Sequence, residues 1–333
     1  MAATEPHVLH RIVGATQGTL LKRYKRFFAD VSLDGQEVVA HCPNTGSMTG
    51  LLDDLGNTKC LVTRSDDPKR KLKFSLHAIK SIPAPIAALK PASYVGIHSA
   101  SANKLATAAV QAGLLEPLFG QVHLAGAEKF MDSITTGSAK QVSASSRKRA
   151  RGPTPRSRVD LLLSRGGDGS TVAVEVKSIS MADYLPQEEH SDERDIAHVS
   201  AAAYQRTALF PDSVSLRAQR HVEELTALQT AAAGSTAKRS TTAQTFSQRA
   251  ASNCASCHAA LLLVIQRGDA HAFAPCDRVD PQYGQLLREA VAAGVGVAAM
   301  VVDIQADGTH VFKNTVPVFA THSDAVRALG ERE

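Results

Sequence analysis

The stretch SRVDLLLSRGGDGSTVAVEVK, residues 157–177, decides how the second half of this chain is read. Two apolar runs, Val159–Leu163 and Thr171–Val176, flank Gly166, Gly167, Asp168 and Gly169. Strand-forming runs on either side of a glycine-rich turn predict a β-hairpin. With the loop centred between Gly167 and Asp168, antiparallel pairing opposes residues whose numbers sum to 335, so Asp160 faces Glu175. The two-residue period of a strand puts Glu175 and Lys177 on that face, and Val174 and Val176 on the other. Like charges across a ladder repel. A hard cation such as Mg²⁺, held by Asp160 and Glu175, would relieve the repulsion. The plainer reading of the same residues is a solvated sheet face, with Lys177 screening Glu175 and Asp160 capping a strand. An E-x-K triplet alone does not choose between them.

The 333 residues exceed one typical core, so two domains are expected. With 44% hydrophobic and 21% charged residues the chain reads as a globular protein rather than a disordered or fibrous one. No apolar run reaches membrane-spanning length and the N-terminus lacks a secretory pattern, which predicts an intracellular protein, cytoplasmic or nuclear, without a membrane partner. Five cysteines, an odd number in a long chain, predict thiols rather than a disulfide framework. Cys254-Ala255-Ser256-Cys257-His258 matches a haem-attachment pattern, but without the context that such a site needs.

The net charge of +5 is unevenly spread. Residues 1–80 hold twelve Lys or Arg against eight Asp or Glu, with clusters at Lys22-Arg23-Tyr24-Lys25-Arg26 and Lys69-Arg70-Lys71-Leu72-Lys73. Cations interleaved with aromatics suit a phosphate backbone with stackable bases, and equally suit solvated strand ends. Strand-like runs at 8–13, 27–33, 37–41, 60–63 and 72–82 predict an OB-like β-barrel over residues 1–83. The hydroxyl-rich loop HCPNTGSMTG, 41–50, offers phosphate donors in Asn44, Thr45 and Ser47, or is a tight connection held by its own turns.

From residue 84 the pattern becomes mixed α/β: a strand at 94–97, a helix near 102–112, a strand at 121–130 carrying Glu128, then the hairpin. A helix after Pro211 shows Ala218, Val222 and Leu225 as an apolar stripe, with Gln219 and His221 at its flanks. A strand at 259–265, a helix at 283–293 and strands at 295–303 and 310–319 follow. Polar segments at about 132–156, 185–207 and 230–253 read as insertions.

These motifs together resemble the SfsA (sugar fermentation stimulation protein A) family, in a eukaryotic-like form with three insertions. The resemblance is carried by Gly18–Phe27 with Ala29-Asp30-Val31, the 41–50 loop, Val95-Gly96-Ile97 with Asn103 and Leu105, and Ser157–Leu163. It continues through Val174–Ser178, Phe210-Pro211-Asp212, Arg217, Gln219, His221, Leu225, Ile265-Gln266-Arg267, Phe273, Pro275, Asp280 and Tyr283. It implies an α/β protein overall, with an N-terminal OB-like barrel and a restriction-endonuclease-like PD-(D/E)XK domain with a mixed sheet over 84–333. It implies DNA as partner and Mg²⁺ or Mn²⁺ as cofactor, with the oligomeric state open, a homodimer included.

Carried over residue by residue, Asp160 and Glu175 are metal ligands, Lys177 positions or activates the attacking water, and Glu128 is an auxiliary acid. Gln219 and His221 line the side of the scissile phosphate. Lys22, Arg23, Tyr24, Lys25, Arg26, Asn44, Thr45, Ser47 and Arg158 are the expected nucleic-acid contacts. The chain departs from the family in three places. Thr107-Ala108 stands where an acid is usual, Ala218 where a glycine is usual, and a long segment separates Glu128 from Ser157. Three functions stay open: a Mg²⁺-dependent nuclease, a non-catalytic DNA-binding regulator of sugar metabolism with a vestigial metal site, and a sugar-responsive module.

Overall fold

The computed structural model describes residues 6–81, 93–130, 158–182, 206–233 and 244–330. Its first unit is a five-stranded barrel: β2 (Thr16–Tyr24), β3 (Phe28–Leu33), β4 (Gln36–His41), β5 (Lys59–Arg64) and β6 (Phe74–Lys80). Strands β4, β3, β2, β5 and β6 pair in that order, and β4 returns to β6 through Ala40–Phe74 and His41–Ser75, closing the ring. Closure removes the sheet edges, and Leu20, Val31, Cys60, Val62, Leu76 and Ile79 fill the inside.

The barrel differs from the sequence expectation in one strand. Residues 16–24 form β2, although their charged second half reads as a solvated cluster. Strand β1 (Val8–Arg11) lies outside the barrel, antiparallel to β15 (Thr309–Val316) near the C-terminus. A four-residue strand carries no signal for which edge it joins.

Strand β7 (Tyr94–Gly96) welds the two units into one sheet, pairing with β6 on one side and with β14 (Gly296–Ile304) on the other. From β14 the sheet runs through β12 (Ala259–Ile265), β10 (Thr171–Ile179) and β9 (Arg158–Arg165) to β8 (Val122–Phe130). β10, β12 and β14 are parallel, and β9 and β15 are antiparallel to their neighbours. Every residue of β12 is buried, as its unbroken apolar run requires of a central parallel strand.

Helices cover both faces. On one lie α1 (Ser101–Gln111) and the single turn α2 (Glu116–Phe119); on the other lie α3 (Leu216–Ala233) and α5 (Pro281–Ala292), while α4 (Phe246–Cys254) gives Ala250 to that core and Cys254 to the opposite one. A small parallel pair, β11 (Arg206–Phe210) with β13 (Ala270–Pro275), packs with α6 (His322–Gly330) around a separate cluster that includes Met181, Leu209 and Leu329.

The insertion boundaries need correction where residues are described. β11 begins inside the segment read as ending at 207. In the segment read as 230–253 the described residues are mostly helical, α3 continuing to Ala233 and α4 opening with a capping box between Thr245 and Gln248. Low apolar content hid α4, which buries only Ala250 and Cys254. The insertion at 132–156 lies outside the described residues.

Candidate functional site

The hairpin forms in the expected register: Ser164–Thr171, Leu163–Val172, Leu162–Ala173 and Leu161–Val174. The next pair is Asp160 and Glu175, and there the ladder gives way. The Val176 N–H donates to Asp160 Oδ2 at 2.8 Å, so a carboxylate takes a place that a main-chain carbonyl would otherwise fill. Asn103 of α1 donates from Nδ2 to Asp160 Oδ1 at 2.8 Å, fixing the carboxylate from the other side.

The solvated-face reading fails at Glu175. It is 4% exposed under α3, with Val174 and Val176 in the opposite core. Lys177 Nζ donates to Glu175 Oε1 at 2.6 Å, and His221 Nδ1 bonds the same oxygen. Lys177 Nζ lies 3.0 Å from His221 Nδ1, so strand and helix are tied through one carboxylate oxygen.

The two acids are driven in opposite directions. Burial, then the charge of Glu175, pushes the Asp160 carboxyl above its ordinary range, against the hydrogen bonds from Val176 and Asn103 and the charge of Lys177. Burial acts the same way on Glu175. There the hydrogen bond from His221 and the charge and hydrogen bond of Lys177 outweigh it, holding the carboxyl below its usual value. A pair of neighbouring carboxyls pushed apart in this way is a pattern met at functional sites.

Glu128 belongs to β8, and the pairs Ala127–Leu161 and Lys129–Val159 set its main chain opposite Asp160; its side chain lies outside the described residues. Among the described residues no group of three or more His, Cys, Asp or Glu is arranged to hold a metal ion. Gln219 donates to Asp280 Oδ1 at 2.8 Å. Asp280, fully buried, also accepts from the main-chain N–H of Ser215 and of Tyr283, pinning the start of α3 to the start of α5. Sequence reasoning gave no role to Asp280 or Asn103, though both stand in the motifs of the resemblance.

The barrel residues divide in two. Lys22, Lys25 and Arg26 are exposed around the β2–β3 turn, and Lys22 Nζ sits 5.6 Å from the Tyr24 ring. Tyr24 donates to Asp30. Arg23 turns inward and donates to the carbonyls of Asn44 and Gly46, both at 2.9 Å, so its guanidinium holds the 41–50 loop. That loop docks on the turn before α3: Ser47 Oγ donates to the Asp212 carbonyl at 2.8 Å, and Met48 N–H to Asp212 Oδ2 at 3.2 Å. Thr45 is exposed, and Asn44 caps its own turn by accepting from Gly46 N–H. Arg158 is exposed at the start of β9, on the strand that carries Asp160.

Cys254 and Cys257 are buried thiols beneath β14, where a Cβ on Gly296 would meet both sulfurs. No helix among the described residues is long and apolar enough to cross a membrane.

Comparison with known proteins agrees with this architecture. Residues 21–86 match the SfsA N-terminal OB domain, and 124–247 with 247–308 match the sugar fermentation stimulation protein RE domain. A sugar fermentation stimulation protein homolog of Synechococcus sp. (strain CC9311) is 35% identical over 85% of this chain and 86% of its own. The homolog of Bdellovibrio bacteriovorus is 29% identical over 91% and 96%. The solved structure of Pyrococcus furiosus SfsA in complex with Ca²⁺ superposes with a TM-score of 0.62 at 19% identity, covering 93% of this chain and 98% of that one. Barrel, welded sheet and matched sequence agree: this chain belongs to the SfsA family.

Proposed function

We propose that this protein binds DNA across the seam between barrel and α/β unit, and hydrolyses phosphodiesters with a divalent cation held by Asp160 and Glu175. The observation that carries the reading is the pairing of these two carboxyls at the point where β9 and β10 part, with Lys177 beside them.

The donor set fits a hard cation. Both contacts to Glu175 fall on Oε1, and among the described residues no hydrogen bond is made to Oε2. Burial and then the charge of Glu175 raise Asp160, and a bound cation would relieve both. A relative of the same fold is described in complex with Ca²⁺, a cation of the same oxygen-seeking class. The metal, once bound, would polarise a phosphoryl oxygen and lower the pKa of a bound water.

The chain's own residues would do the rest. Asn103 and the Val176 N–H hold Asp160 in one rotamer. His221 anchors Glu175 from α3. Lys177, released toward a phosphate, would stabilise the charge that develops in line. Lys22, Lys25 and Arg26 lie on the barrel tip, and the 41–50 loop ties the barrel to the turn before α3, so one strand could track both units.

The reading predicts Mg²⁺- or Mn²⁺-dependent cleavage of DNA, lost in Lys177→Ala with binding retained. Uncut DNA after prolonged incubation with either ion, at protein concentrations that saturate binding, would sink the catalytic half. A non-catalytic DNA-binding role is the second reading. It is favoured by the closed Glu175–Lys177–His221 cluster, which already satisfies the lysine.

A further inference from the structure

A second polar site lies where the barrel, β1, β15 and the start of α1 meet. Four histidines from four different segments line one cavity: His10 of β1, His77 of β6, His98 just before α1, and His310 of β15. Lys104 and Ser101 of α1 complete the lining. The cavity measures about 120 Å³, far above the roughly 10–15 Å³ that one water needs. The rings are paired, His10 with His310 at 5.5 Å and His77 with His98 at 6.1 Å between centroids.

The charges decide which ligand this suits. No carboxylate lines the cavity, whereas Lys104 brings an ammonium. The first turn of α1 carries no acidic residue of its own and its N-cap, Ala100, makes no side-chain cap bond, so the helix end adds to the positive potential at this lining. A divalent metal would meet that cation and dipole without a compensating anion. A tetrahedral oxyanion would meet N–H donors from several sides.

We propose that this pocket binds a phosphate-class oxyanion, held by Lys104 and the imidazoles of His10, His77, His98 and His310. The tautomers set the chemistry. His310 Nδ1 faces the Gly308 carbonyl at 3.2 Å and donates to it, so in the neutral ring Nε2 carries no proton. His98 Nδ1 is buried without a partner among the described residues. His77 Nε2 is bonded to Thr63 Oγ1 at 2.9 Å. An oxyanion entering this ring draws a proton from solvent onto an imidazole nitrogen, which becomes a charged donor. Other titratable or charged groups facing the cluster are Arg70 toward His77 and His41 toward His98. Without an anion, burial and these neighbours keep the rings neutral, His77 and His310 titrating only at about 4. Anion binding is therefore coupled to proton uptake, and affinity rises as pH falls toward 6.

Calorimetric titration of the full chain with inorganic phosphate alone, at pH 7.5 and 6.0 in buffers of different ionisation heat, tests this. The expected result is saturable binding that tightens at the lower pH, with a buffer-dependent heat. Lys104→Met, an exposed position, should weaken it by about tenfold or more while leaving Tm unchanged. No heat at either pH, or identical affinity in Lys104→Met, overturns the proposal. Saturation by Zn²⁺ with no phosphate binding overturns it too. Displacement of phosphate by a 5′-phosphorylated dinucleotide, and not by its unphosphorylated form, would identify the source as a nucleic-acid end. Failure to displace would identify free phosphate. Because the probe carries no scissile bond and the readout is the heat of binding, the outcome is independent of whether the protein cuts DNA.

Discussion

Ser47 of the barrel donates a hydrogen bond to the carbonyl of Asp212, 165 residues away, at 2.8 Å. Beside it Gly46 packs so closely that an added Cβ would stand 2.5 Å from Asp212 Oδ2. The loop that reads from sequence either as a source of phosphate donors or as a tight connection also clamps the barrel to the turn that starts α3. Gly46→Ala should lower stability by about 1–3 kcal/mol through overpacking. Asp212→Ala in the same chain should recover most of that loss. Urea denaturation of the four members of this double-mutant cycle checks it, and simple additivity would show that the two residues are not coupled.

Asp160 and Glu175 give a metal test that needs no turnover. A ligand that binds only the folded state stabilises it by RT ln(1 + [L]/Kd), about 2.7 kcal/mol at a hundredfold excess over Kd. Mn²⁺ or Ca²⁺ should therefore raise Tm by several degrees in the parent protein and leave Asp160→Ala unmoved. An equal rise in both proteins would place the cation elsewhere.

The parts of this site that could be read from the sequence are those whose signal is local. The hairpin register follows from a glycine turn between two apolar runs, and it brought Asp160 opposite Glu175. The stripe Ala218, Val222 and Leu225 likewise predicted the buried face of α3. Strand β2 was missed because Lys22 and Arg23 break its alternation, and Arg23 points inward only because the 41–50 carbonyls await it. The histidine pocket draws on residues 10, 77, 98 and 310, and no periodicity connects positions so far apart.

Asp280 shows why a residue at a flank need not face a ligand. Three donors, Ser215 N–H, Gln219 Nε2 and Tyr283 N–H, converge on this buried carboxylate. Asp280→Ala would leave them unpaired and should cost about 2–4 kcal/mol. Gln219→Ala should cost about 1 kcal/mol and leave the affinity for DNA within twofold. A large loss of cleavage in Gln219→Ala at unchanged stability would instead put its amide at the phosphate.

Acid sensitivity should come from the histidine pocket. His77 and His310 titrate at about 4 in the folded chain, against about 6.5 when unfolded. The unfolded state therefore binds more protons between these values, and stability present at pH 7 is lost as pH falls from 6.5 toward 4. His77 is partly exposed, so the combined loss is about 1–3 kcal/mol after solvent screening. Denaturation at pH 7, 5.5 and 4.5 should show this slope, and His310→Gln should flatten it. A profile that is flat in the parent protein would mean that the rings titrate alike in the folded and unfolded chain.

The tip of the β2–β3 hairpin separates stability from binding most sharply. Lys25 and Arg26, both exposed, hold left-handed φ angles of 47° and 63°, a conformation that costs a non-glycine residue about 1–2 kcal/mol. Glycine takes it freely, so selection for stability alone would place glycine at 26. Its absence from this strained turn is explained if the side chains reach a phosphate backbone. Arg26→Gly should then raise stability by about 0.5–1 kcal/mol. It should also weaken DNA binding and reduce the slope of log K against log salt by about one. Arg23→Ala, whose guanidinium is spent on loop carbonyls, should do the reverse in kind, lowering stability while changing the salt slope little. If Arg26→Gly alters stability alone and leaves the slope intact, the basic tip is a solvated turn and the nucleic acid runs elsewhere on the molecule.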